Sequence, residues 1–190
     1  MRKQITILVI AFITTFIATG QTKDQKVKLN LSTSSIHWYG YYLFYFGGHD
    51  GTVQFKEGVF IHDNGKLTGG SFTIDMTTIS STDIESKEGR DNLDEHLKNE
   101  DFFETNKHPL AKIDITEVYY ETETRVKIYA NMTIKGVTKP VNLRADIDIP
   151  NKKITTKFKI DRTRWGIKYN HDVKDSAISD AIGFEVILGF

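Results

Sequence analysis

The stretch from 126 to 149 reads VKIYANMTIKGVTKPVNLRADIDI. Val126, Ile128, Ala130, Met132 and Ile134 alternate with Lys127, Tyr129, Asn131 and Thr133, and beyond the turn Val141, Leu143, Ala145, Ile147 and Ile149 alternate with Asn142, Arg144, Asp146 and Asp148. Successive side chains of a strand point to opposite faces, so each run predicts a strand with one buried and one wet face. Gly136 supplies the turn between them. Pro140 is tolerable only near a strand start, because it donates no ladder hydrogen bond.

Working outward, the same period recurs. Downstream, Pro150-Asn151 makes a turn, Ile154, Thr156, Phe158 and Ile160 define a seventh strand, and Ile182, Phe184, Val186 and Leu188 an eighth. Upstream, after a polar lead at 21–28, the aromatic run Ile36 to Phe46 predicts a first strand, and Gly47-Gly48-His49-Asp50-Gly51 a turn or bulge. Val53, Phe55, Val59 and Ile61 give a second strand, closed by the hairpin signal Asp63-Asn64-Gly65. Leu67, Phe72, Ile74 and Met76 give a third, dissolving into polar sequence from Thr77 to Lys87; Ala111, Ile113 and Ile115 give a fourth. One segment breaks the rhythm: over about 91–105 the spacing predicts a short helix, with Asp91 as N-cap, Asp94 and Glu95 in the first turn and Leu93 and Leu97 on one face. Eight antiparallel strands with single apolar faces fit a closed up-and-down barrel or a two-sheet sandwich.

The chain has 190 residues, enough for one domain, and its 25 basic and 25 acidic side chains balance. No global field would attract nucleic acid. Arg2 and Lys3 precede an apolar run from Ile5 to Ile17 and the small residues Ala18-Thr19-Gly20, so residues 1–20 are expected to be a secretory signal peptide. That run falls short of the roughly 20 residues that cross a bilayer as a helix. The expectation is a periplasmic or secreted protein, monomer or homodimer, with no stable membrane insertion after cleavage. Cysteine is absent, which leaves no thiol nucleophile, disulfide or cysteine-linked lipid anchor.

Several phrases taken together resemble one family. Gly47-Gly48-His49-Asp50-Gly51-Thr52-Val53, Leu67-Thr68-Gly69-Gly70-Ser71-Phe72, His96-Leu97-Lys98 with Asp101-Phe102-Phe103 and His108-Pro109, Met132 to Val141, and Ile160-Asp161-Arg162-Thr163-Arg164-Trp165-Gly166-Ile167 are similar, in order and spacing, to the YceI-like family. The resemblance covers the domain at 29–190. It implies an all-β, eight-stranded, lipocalin-like antiparallel barrel, periplasmic or secreted, whose apolar interior binds a polyisoprenoid or quinone-like amphiphile.

On that footing Trp38, Tyr42, Phe44, Phe72, Ile74, Met76, Ile128, Met132, Phe158, Trp165, Phe184 and Val186 are candidates to line a lipid cavity, with Phe102 and Phe103 sealing or capping its mouth. The alternative is a structural or interaction barrel in which these side chains fill the core. Arg162 and Arg164, read as positions on one strand face, are candidates for a phosphate head group, because guanidinium pairs with phosphate through two hydrogen bonds. A structural ion pair is the plainer role for them. The six histidines at 37, 49, 62, 96, 108 and 171 are scattered without metal-ligand spacing, and His49 is expected to brace a glycine turn. No metal and no cofactor is expected beyond a bound isoprenoid lipid. Ser71, Ser80 and Ser81 lack a nucleophile context, so no catalytic residue is assigned and an enzyme is not expected.

Overall fold

The computed structural model describes residues 24–43, 46–168 and 178–190. The expected signal segment, Phe44 and His171 lie outside the described residues. The elements follow in the order β1 (Gln25–Lys28), β2 (Asn30–Tyr42), β3 (Gly48–Asp63), β4 (Lys66–Ser81), α1 (Lys87–Lys98), β5 (Leu110–Tyr120), β6 (Arg125–Ile134), β7 (Val137–Asp148), β8 (Lys153–Asp161) and β9 (Ile178–Gly189), with a 3₁₀ helix at Arg162–Trp165. No helix among the described residues is long and apolar enough to cross a membrane.

Every pairing is antiparallel, in the order β3-β2-β9-β8-β7-β6-β5-β4, and β4 returns to β3 to close the ring. β1 and β2 lie along successive halves of β3, broken at Leu29, whose amide donates to the Gly58 carbonyl at 2.9 Å. Counted as one interrupted strand, they make an eight-stranded lipocalin-like barrel rather than a sandwich. Closure leaves no sheet edge for another chain to pair with at the β3–β4 seam.

Local chemistry explains the connections. Asn64 and Gly65 (φ 50° and 77°) and Lys135 and Gly136 (φ 50° and 73°) both take left-handed conformations, the two-residue turn whose twist suits a hairpin. β7 pairs with β8 only from Ala145 opposite Thr156 to Asp148 opposite Lys153. Pro140 falls upstream, where β7 pairs with β6 alone, so its missing N–H removes no rung on the β8 side. The 3₁₀ helix lies beside this gap: Trp165 Nε1 donates to the Met132 carbonyl at 3.1 Å and Arg164 to the Pro140 carbonyl at 2.9 Å.

Four boundaries differ from the sequence reading. The polar lead contains a strand, β1, because it pairs with β3 residues 59–62. β4 continues through Ser81, since Ser80 and Ser81 pair with Thr52 and Gly51. Gly48 to Gly51 belong to β3 rather than to a turn; a Cβ at Gly51 would lie 2.0 Å from the Ser80 carbonyl oxygen and 2.6 Å from the Trp38 ring, so glycine is what permits the close crossing. The helix begins earlier than Asp91 and ends at Lys98: Ser86 is the N-cap, its hydroxyl accepting from the Gly89 amide at 3.2 Å.

Two apolar clusters fill the ends of the barrel. One gathers Phe60, Phe72, Val126 and Ile154, with the Phe60 ring 5.0 Å from Phe72 and 5.7 Å from Phe190. The other packs α1 and the segment after it against the opposite end, through Leu97, Phe102, Phe103, Trp165 and Ile167.

Candidate functional site

Between the clusters the interior is not filled. A cavity of about 210 Å³ runs along the barrel, its wall built from the inward parity of the strands. On β9 that wall extends from Ile178 to Leu188, which at about 3.3 Å per residue is roughly 33 Å of strand. With the usual strand tilt the cavity is about 25 Å long along the axis. Phe55, Ile74, Ile113, Phe158, Ile182, Phe184 and Val186 line it and remain only partly buried although they point inward. That residual accessibility marks unoccupied space, since a filled interior leaves no room for it.

The two ends differ chemically. The deep end is mainly apolar, formed by Leu143, Ala145, Ile154 and Leu188 with Ile115 and Ile128, and the Thr156 hydroxyl beside them donates to the Arg144 carbonyl at 2.7 Å. The other carries Tyr42, His49, Arg162 and Ser179, and is roofed by Leu93 and Leu97 of α1 with Phe102 and Phe103. The roof is fixed to the barrel. Asp94 accepts from the Ser80 hydroxyl at 2.7 Å and from the Ser81 amide and hydroxyl at 2.6 and 2.8 Å. The Phe103 amide donates to the Leu97 carbonyl at 3.1 Å, which folds the diphenylalanine back under the helix.

The polar groups at the roofed end are ordered by their partners. His49 shares inward parity with Gly51, Val53 and Phe55; its Nε2 lies 2.8 Å from the Tyr42 hydroxyl and its Nδ1 2.8 Å from Asp83. Arg162 is 3 % exposed. Its guanidinium donates to the Ile167 carbonyl at 2.8 Å and the Ser179 carbonyl at 3.3 Å, pairs with Asp180 at 3.1 Å and lies 6.0 Å from the Phe102 ring centre. The turn presenting it is held by Asp161, which accepts from the Thr163 hydroxyl at 2.6 Å and amide at 2.9 Å. Those hydrogen bonds keep the Asp161 carboxyl below the usual carboxylate range, the hydroxyl bond contributing most.

The structure places Trp38, Tyr42, Phe72, Ile74, Met76, Phe102, Phe103, Ile128, Met132, Phe158, Phe184 and Val186 on the cavity wall. Trp165 departs from the expectation: it is 1 % exposed and packs in the core between the 3₁₀ helix and β6, off the wall. Arg162 and Arg164 also separate, because a 3₁₀ helix replaces the strand that would have set them on one face. Arg164 is exposed, stacked on the Trp165 ring at 5.2 Å. His49 and Ser179 are wall residues the sequence reading did not select. Extending the Phe55 and Val53 parity through the glycines would have found His49. Among the described residues no group of three or more His, Asp or Glu side chains is placed to hold a metal ion.

Comparison with known proteins agrees with this architecture. A family model described as the YceI-like domain matches residues 21–190. A UPF0312 protein of Photorhabdus laumondii is 37 % identical over 87 residues, 41 % of this chain and 44 % of that protein. A UPF0312 protein of Pseudomonas putida is 30 % identical over 95 residues, 50 % of this chain and 47 % of that protein. The matched stretch thus spans about half the length of these relatives. The crystal structure of Burkholderia cenocepacia BcnA superposes with a TM-score of 0.65 at 15 % identity, over 84 % of this chain and 98 % of that one, and shows the same fold. With the eight-stranded closure, the single helical roof and a match over residues 21–190, the chain belongs to the YceI-like domain family.

Proposed function

We propose that the protein is a periplasmic or secreted binding or carrier protein for a long-chain amphiphile, of polyisoprenoid or quinone-like type, whose apolar tail lies in the barrel. The observation that carries this reading is the unfilled interior, long and narrow and lined mainly by apolar side chains, with Tyr42, His49, Arg162 and Ser179 gathered beneath the roof. Burial at about 0.8 kcal/mol per CH₂ gives a ten-carbon tail roughly 8 kcal/mol of gross driving force, before the costs of ordering it. A tail threaded down the axis would meet Phe158 and Phe184, whose rings stack at 5.3 Å across β8 and β9. Binding is non-covalent and involves no catalytic step.

The test is organic extraction and native mass spectrometry of protein purified without detergent from its own host. A stoichiometric amphiphile with a long apolar tail is the expected result. Protein that carries no lipid and takes up no added geranylgeraniol would refute the reading. The export part is checked separately, by an intact mass placing the mature N-terminus near Gln21.

A further inference from the structure

The head group that this mouth accepts follows from how its charges are already matched. Of the described residues lining the cavity, His49, Lys112 and Arg162 are the basic ones, and each is held by a carboxylate. His49 is bound by Asp83 at 2.8 Å, Lys112 by Asp114 at 2.9 Å and Arg162 by Asp180 at 3.1 Å. A phosphate monoester, with its charge of about −1.5 to −2, would find no unmatched cation among the described residues of this wall and would have to displace a carboxylate to reach one of them.

What the mouth does offer is neutral hydrogen bonding. Asp83 accepts at His49 Nδ1, so in the neutral imidazole Nε2 is the acceptor and the Tyr42 hydroxyl donates to it. The Tyr42 oxygen keeps a lone pair to receive a hydrogen bond. The Ser179 oxygen accepts from the Ala181 amide at 3.1 Å, which leaves its hydroxyl proton to donate. Tyr42 sits opposite Ile178 in the β2–β9 register, so Ser179 follows on the neighbouring strand.

From this juxtaposition of an acceptor and a donor, among basic side chains each already held by a carboxylate, we infer that the ligand carries an uncharged hydroxyl or carbonyl head group rather than a phosphate. The inference rests on the carrier reading above and narrows its ligand class. A phosphate pays the desolvation of an anion at a wall whose positive charges are spoken for.

Three tail-matched probes separate the two: geranylgeraniol, geranylgeranyl monophosphate and the corresponding hydrocarbon, compared by competition for the cavity. The alcohol is expected to bind at least tenfold more tightly than the monophosphate. Tyr42→Phe with Ser179→Ala, or Ser179→Ala alone if the double variant folds poorly, is expected to weaken the alcohol several-fold and leave the hydrocarbon unchanged. A monophosphate that binds as tightly as the alcohol, or variants that leave the alcohol's affinity intact, would overturn the inference. Failure of all three probes to bind sinks the carrier reading itself.

Discussion

Truncating Phe103 tests whether the roof closes the cavity. Its ring is 8 % exposed, lies 6.0 Å from the Phe102 ring and forms part of the wall beneath α1. Phe→Ala changes in a filled core cost about 3–5 kcal/mol. One side of this ring already faces empty space, so fewer contacts are lost and Phe103→Ala is expected near the lower limit, about 3 kcal/mol. At 2–4 °C per kcal/mol for a chain of this size, the melting temperature falls by roughly 6–12 °C. The backbone bond from Phe103 to Leu97 and the Asp94 contacts persist, so the helix stays docked over a wider mouth. The assay is a thermal melt paired with stopped-flow transfer of geranylgeraniol from loaded protein to excess vesicles. Release is expected to accelerate at least tenfold, equivalent to about 1.4 kcal/mol of barrier. A lowered melting temperature with unchanged release would show that Phe103 is only a structural seal; if neither changes, the packing argument fails.

Other perturbations address other parts of the molecule. Burial lowers the pKa of His62, whose Nδ1 is buried without a hydrogen-bond partner. The unfolded chain therefore takes up the proton first, and stability is full above the unfolded value of about 6.5 and declines as pH falls from there toward the folded pKa. Denaturant midpoints measured between pH 7.5 and 5.5 should show this decline and lose part of it in His62→Phe; an unchanged pH slope contradicts it. Ala145→Phe places a ring at the deep end, where Ala145 is 2 % exposed and on the wall. It should cost about 1–3 kcal/mol in overpacking and lower affinity for long tails more than for short ones in a chain-length series. Trp165→Phe leaves the Met132 carbonyl without its indole partner and should destabilise by about 1–3 kcal/mol in denaturant titrations. Geranylgeraniol affinity should remain unchanged, since Trp165 is off the wall; a matching loss of affinity would contradict that placement.

Most of the strand map is legible in residue parity. Runs such as Val126 to Ile134 and Ile182 to Leu188 carry their inward face in the chain itself, and the turns at Asn64-Gly65 and Lys135-Gly136 announce themselves by residue type. Legibility fails where a partner decides. Polar Ser80 and Ser81 are strand because Gly51, Thr52 and Asp94 meet them. The helical turn that Ser86 caps lies upstream of Asp91, where residues 85–90 are polar or glycine and carry no apolar period to mark it. The phrase Asp161 to Trp165 looked like continued strand, but the Asp161 side chain bonds to Thr163 and turns the chain into a 3₁₀ helix, sending Arg162 inward and Arg164 to the surface.

The amino-acid order by itself determined that this is an antiparallel β-protein with one helical interruption, and which side chains face inward, because a strand's faces are fixed by a period of two along the chain. Whether those inward side chains fill the space was decided only in three dimensions. The interior volume depends on ring closure through β3 and β4, on where β7 and β8 part, and on how α1 sits across the end, none of which is local in the chain. The same inward pattern would suit a solid core; the closed geometry leaves a cavity of about 210 Å³.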